Sequence, residues 1–268
     1  MVPMTPRARS PWLAAPVVLL LSARAPAQTR APAFRLDPSV DIPVLGLSAP
    51  VLASWFIAAE LRPPYCAPRC DPATVNAFDR VAAGNYNPTV GTVADATTVG
   101  IDLLALSAVA LAEGFPNAAV DGTVVIESVM VANSMAILMN FAMQRPRPRV
   151  YGDAAPLDER TGGLAAMSSF SGHTANAFAA TLATFQVLRR VASPGVAYTA
   201  LGVGLTLSTF VGVSRVVSGS HFPSDVLAGA AVGASVGWLV PALHASPVRV
   251  APMALGTTGG GLSVAGAF

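Results

Sequence analysis

The chain contains no lysine: all 16 of its basic residues are arginine. No run of Lys or Arg marks a nucleic-acid surface, and that partner class is set aside. Charge of either sign is scarce. Only 11% of the 268 residues are charged, against roughly 25% in a soluble globular protein. Histidine occurs three times and cysteine twice, and no internal repeat is found. What fills the chain instead is apolar: 53% hydrophobic residues and a mean hydropathy of +0.57. This composition points to a membrane protein or a very apolar helical one.

The first residues read as a secretory signal spanning 1–27. Arg7 and Arg9 form a basic start, Trp12 to Leu21 a short apolar run, and Ala25-Pro26-Ala27 a small-residue cleavage site. An uncleaved first membrane helix is the alternative. Cleavage removes Arg7, Arg9 and Arg24 and takes the formal charge from +2 to −1, so the apparent basicity carries no information about partners. The isolated pair Cys66 and Cys70 lies in YCAPRC. It reads as a local disulfide in an exported protein, with two free thiols as the other reading. No metal-ligating cluster is legible, so neither a metal nor another cofactor is expected.

Six apolar segments follow: 44–59, 99–112, 123–143, 175–188, 196–213 and 226–243. They are long for strands and lack alternation, so they read as helices. The expected fold is all-α, a bundle of about six apolar helices set in a membrane. A soluble helical core would show the same pattern. Gly202, Gly204, Gly229, Gly233 and Gly237 permit close packing of the last two helices. Residues 28–98 read as an N-terminal helix plus a polar insert with a short helix around Ala73 to Ala83. Residues 99–245 read as the helical core, and 246–268 as a tail forming either a β-hairpin or a disordered end.

Three polar islands stand at helix ends: QRPRPRVYG from Gln144, SSFSGHTANAF from Ser168, and SRVVSGSHFPSD from Ser214 to Asp225. Arg145, Arg147 and Arg215 are permanently charged donors suited to phosphate oxygens. Ser171 and Gly172 sit where a helix begins, so their N–H groups can face an anion. His173 and His221 are the only imidazoles near these islands. Asp225 lies four residues beyond His221, in position to accept its Nδ1–H and free Nε2 as a nucleophile. Alone, each element fits an ordinary cap, surface pair or exposed loop. Their order and placement together point to chemistry.

The set resembles the type-2 phosphatidic acid phosphatase and vanadium haloperoxidase superfamily, whose pattern is K-x6-R-P, P-S-G-H and S-R-x5-H-x3-D. The third motif matches in full at Ser214, Arg215, His221 and Asp225; the second matches as Phe170-Ser171-Gly172-His173, with Phe for Pro; the first matches at Arg147-Pro148. The resemblance covers about residues 99–243. The family lysine falls at Asn140, which brings a hydrogen-bond donor but no charge, leaving Arg145 as a substitute phosphate ligand. The resemblance implies a phosphatase acting on a lipid phosphate or diphosphate without a metal. In it, Arg147, Arg215, Ser171 and Gly172 hold the phosphoryl group, His221 attacks, His173 is the acid and base, and Asp225 orients His221. The site would face the extracytoplasmic side of the cell envelope. A soluble periplasmic acid phosphatase, a vanadate-dependent haloperoxidase and a non-catalytic phospholipid binder are the alternatives.

Overall fold

Four of the long helices begin on caps that the sequence itself supplies. In the computed structural model, which describes residues 31–60, 63–245, 249–255 and 259–265, Asp37 caps α1 (Pro38–Ala53) and Asn87 caps α2 (Pro88–Glu113). Ser171 caps α5 (Gly172–Val191), and Ser193 caps α6 (Pro194–Val217). In each, a side-chain oxygen accepts a first-turn N–H, and proline opens α1, α2 and α6, where its missing donor costs nothing. α3 (Asn117–Met143), the short α4 (Leu157–Thr161) and α7 (Pro223–Ala245) complete the helices. The tail forms an antiparallel two-stranded ribbon, β1 (Arg249–Leu255) with β2 (Gly259–Ala265), in register from Arg249 opposite Ala265 to Leu255 opposite Gly259. The signal-peptide reading falls outside the described residues.

The fold is the all-helical bundle expected, with six long helices among the described residues. Two details differ. α2 starts at Pro88, so a boundary at 98/99 would cut a helix; its first turns are rich in Thr, Gly and Asp and read as loop. The short helix expected at Ala73 to Ala83 is instead two single turns, Pro72–Thr74 and Arg80–Ala82. Local bonds within Asp71, Asn76 and Asp79 outcompete a continuous helix there.

α5 is the axis of the bundle, packed by α2, α3, α6 and α7. Thirteen of its 20 residues are buried, and most are Ala, Thr, Asn or Gln. The surrounding helices invert the usual rule. Leu103, Leu104, Leu111, Leu138, Val213, Leu227 and Leu239 all lie on the outside. Five of these helices are long and apolar enough to cross a membrane. An apolar exterior around a small-residue interior is the signature of a protein whose solvent is lipid, and this is a membrane protein.

α7 meets α5 through three glycines. A Cβ on Gly229, Gly233 or Gly237 would stand 2.6, 2.2 or 2.5 Å from the carbonyl oxygen of Ser171, Ala175 or Ala179. Gly204 does the same against Thr181, whereas Gly202 faces open space and takes no part in packing. The close approach of α7 brings Asp225 beside Ser171, where the Ser171 N–H donates to the Asp225 carbonyl at 3.0 Å.

Candidate active site

Successive long helices from α3 onward run in opposite directions, so the end of α3, the start of α5, the end of α6 and the start of α7 share one end of the bundle. The three motifs occupy that end. α3 is stopped by Gln144 in a left-handed conformation (φ 45°), and the Arg-Pro-Arg-Pro run that follows cannot remain helical. It pairs with the 165–168 loop: the Arg147 N–H donates to Ala165 O, and the Ser168 N–H to Arg145 O. The Arg147 guanidinium is buried and donates through Nε to Met167 O at 3.2 Å.

His221 follows a tight turn in which its own N–H and that of Ser220 both donate to Arg215 O. Gly219 allows this turn with φ 74°; a Cβ there would collide with Asn85 O. The His221 ring is buried. Burial, then the cations Arg147 and Arg215, hold its pKa well below the ordinary imidazole value, so the ring is neutral at pH 7. Its Nδ1 has no hydrogen-bond partner among the described residues and lies 3.7 Å from Asp225 Oδ2. That is beyond hydrogen-bond range. Asp225 is held by other groups: Ser168 Oγ at 2.5 Å, Phe222 N at 2.9 Å and Arg145 Nη1 at 2.6 Å.

Arg145 therefore has a different place from the one expected. Its second nitrogen donates to Asp79 Oδ2 at 2.8 Å, and its guanidinium lies over the Phe222 ring at 4.2 Å. Asp79 is also bonded by Ser224 through N–H and hydroxyl. Burial pushes the Asp79 carboxyl up, but bonds from Ser224, Arg145 and Asn76 outweigh it and leave the pKa below the usual range. Arg145 bridges two buried carboxylates rather than standing free for an anion. An open cleft of about 770 Å³ lies outside it, lined by Pro64, Tyr65, Asn76, Gln144 and Tyr151 among others, with no imidazole in its wall.

Asn140 is likewise committed. Its side-chain oxygen accepts from Ser169 N at 2.9 Å and its amide donates to Ala136 O at 2.8 Å. It pins the loop that leads into Ser171. The Ser171 hydroxyl caps α5, accepting from Thr174 N and Oγ1, and Gly172 begins the helix beside Ala136.

One residue that the sequence did not single out joins the site. Asp95, on the second turn of α2, accepts from Arg215 Nη1 at 2.6 Å and lies 3.0 Å from His173 Nε2. It links two of the expected phosphate-site groups, and its own side chain is 57% exposed. The polar insert also reaches this end. Cys66 and Cys70 are joined in a disulfide, Cys70 N–H donates to Val150 O, and Asn87 N–H donates to Ser218 O.

The site thus gathers His221, His173, Arg147 and Arg215 at one end of an apolar bundle. Residues 122–248, which include all three motifs, match the PAP2 superfamily. Over 81 residues the chain is 48% identical to the lipid A 1-phosphatase of Porphyromonas gingivalis; this covers 30% of the chain and 17% of that protein. The match thus spans about a sixth of the relative's length. The chain is also similar to the crystal structure of a transmembrane PAP2-type phosphatidylglycerolphosphate phosphatase from Bacillus subtilis. That likeness has a TM-score of 0.45 and 19% identity, and covers 77% of this chain and 96% of the other. The three motifs all lie inside the segment from Gly122 to Val248 that matches the PAP2 superfamily, a little under half of the chain.

Proposed function

We propose that this protein is a phosphatase that hydrolyses a lipid phosphate or diphosphate through a phosphohistidine at His221. The observation that carries the reading is His221 buried beside two buried arginines that hold its pKa down, with a second imidazole nearby. A neutral imidazole keeps the lone pair that a nucleophile needs. Arg147 and Arg215 neutralise the phosphoryl oxygens, and the positive N-terminal end of α5 at Gly172 adds to them, whereas the Ser171 N–H is already spent on Asp225 O.

In the first step His221 Nε2 bonds to phosphorus as the P–O bond to the lipid breaks, and His173 donates a proton to the departing oxygen. In the second, water attacks phosphorus, the P–N bond breaks, and His173 takes the water's proton. Asp225 balances the imidazolium-like charge from 3.7 Å, and Arg145 and Asn140 act as positioning residues. No step calls on a metal.

The substrate class follows from the setting. The site opens at the end of an apolar bundle, so an acyl or prenyl chain can stay in lipid while its phosphate reaches His221. The relative's substrate, a lipid A 1-phosphate by its name, belongs to this class. The disulfide lies at the same end as the site, and Arg189 and Arg190 end α5 at the other. Both favour an extracytoplasmic active site.

The test is phosphate release in detergent by wild type and His221→Ala, without added metal. Substrates are phosphatidic acid, an isoprenoid diphosphate, a glycolipid 1-phosphate and p-nitrophenyl phosphate. Lipid hydrolysis that vanishes in the variant, with an acid-labile phosphoenzyme trapped in wild type, supports the reading. Preference for p-nitrophenyl phosphate would favour a broad-specificity acid phosphatase, and halide oxidation with added vanadate a haloperoxidase. Lipid binding without turnover in folded protein would overturn the enzyme.

A further inference from the structure

At the end of the bundle opposite the phosphate site, three helices bring titratable side chains together. Asp41 from the first turn of α1, Glu127 from α3 and His244 from the last turn of α7 place one ligand atom each within 4.8 Å of one another. His244 Nε2 lies 3.1 Å from Asp41 Oδ1 and 3.1 Å from Glu127 Oε2. All three side chains are at least nine-tenths buried. Two further oxygens, Asp41 Oδ2 and Glu127 Oε1, are buried and have no hydrogen-bond partner among the described residues. None of the three belongs to the phosphate chemistry.

We propose that this cluster is a binding site for a divalent first-row cation of the zinc class. The argument begins with the ring of His244. Its Nδ1 is 2.8 Å from the carbonyl oxygen of Val240. A carbonyl only accepts, so Nδ1 carries the hydrogen. A neutral ring then presents the Nε2 lone pair to two carboxylates, which is repulsive unless a cation lies between them. This arrangement, one ring nitrogen donating to a backbone carbonyl and the other facing carboxylates, is how histidine ligands are oriented around zinc. Charge gives the same answer. Two carboxylates and an imidazolium leave one uncompensated negative charge in an apolar setting, whereas two carboxylates, a neutral ring and a divalent ion sum to zero. The orphaned oxygens supply the remaining donor capacity. A nitrogen ligand favours zinc-class ions over magnesium or calcium, which prefer oxygen alone. Bound there, the ion would fasten α1, whose helix lies outside the PAP2 segment, to α3 and α7.

The test is metal content. Protein purified on a histidine-free tag is loaded with Zn2+, dialysed and analysed by mass spectrometry. The expected result is about one ion per chain in wild type and in the control His221→Ala, falling to about a tenth in Glu127→Gln and in His244→Ala. Both cysteines are in a disulfide, so thiolates do not compete. Should either variant fail to fold, wild type reconstituted with Co2+ gives the second measurement: visible absorption that Zn2+ abolishes. Folded wild type with no retained ion and no cobalt absorption would overturn the proposal in favour of a plain imidazolium bridge. Full retention in both folded variants would also overturn it, placing the ion elsewhere.

Discussion

Replacing Arg145 with methionine separates two roles that this residue can have: a phosphate ligand standing in for the family lysine, or a bridge between buried carboxylates. The geometry favours the bridge. Arg145 is bonded to Asp225 at 2.6 Å and Asp79 at 2.8 Å, and the two carboxylates are 0–1% exposed. Removing one partner of a buried pair costs about 3–5 kcal/mol. Arg145 is itself 27% exposed, so screening lowers the expected loss to roughly 2–3 kcal/mol. For a chain of this size that is a fall in Tm of roughly 5–10 °C. The pH dependence adds a signature. Asp79 has a depressed pKa, so its share of the stability is present above the unfolded value, near 4, and is lost as pH falls through the lower folded value. The part of the Tm gap between wild type and Arg145→Met that comes from Asp79 should therefore be full at pH 7 and be lost below about pH 4. Thermal unfolding in detergent across pH 3–7 measures it, with KM alongside. An unchanged Tm with a raised KM would refute the bridge and restore Arg145 to the phosphate.

Three further outcomes follow from the same geometry. Asp95→Asn removes a carboxylate that occupies Arg215 Nη1 and His173 Nε2, so inorganic phosphate should inhibit more tightly, by roughly three- to fivefold for a half-exposed pair; a weaker inhibition would mean that Asp95 serves His173 instead. Gly233→Val should lower activity and cost about 1–3 kcal/mol, because its Cβ meets Ala175 O at 2.2 Å, while Gly202→Ala, which meets nothing, should leave both unchanged. The lowered pKa of His221 places the acid limb of kcat/KM below pH 6.5, since the nucleophile stays unprotonated until pH falls well past the ordinary value; a limb at or above 6.5 that is assigned to His221 would show that the ring is more solvated than its burial implies.

What was legible in the sequence was what lies close together along the chain. Ser214, Arg215, His221 and Asp225 fall within one turn and two helix ends, and the order of the motifs between apolar runs fixed which end of each helix they occupy. The number and type of the long helices were legible for the same reason, because an apolar run of this length has few alternatives. Partners, by contrast, are set by packing. The lysine missing at Asn140 suggested a search for a replacement charge, and Arg145 was the nearest arginine in sequence. Only the arrival of Asp79 from the polar insert shows where that charge is spent. Asp95 was hidden more thoroughly, in a Thr- and Gly-rich stretch that read as loop, and it acquires meaning when α2 lies beside the end of α6. His244 is the sharpest case. It was the one histidine outside every motif, with no acidic neighbour in sequence, yet it is the histidine with two carboxylates at 3.1 Å. A buried polar residue in an apolar helix must be answered by another group, so Asp41, Glu127 and His244 each carried a signal that a partner existed. Identifying that partner required knowing that α1, α3 and α7 meet, and the small residues that let helices approach one another do not specify which neighbours they join.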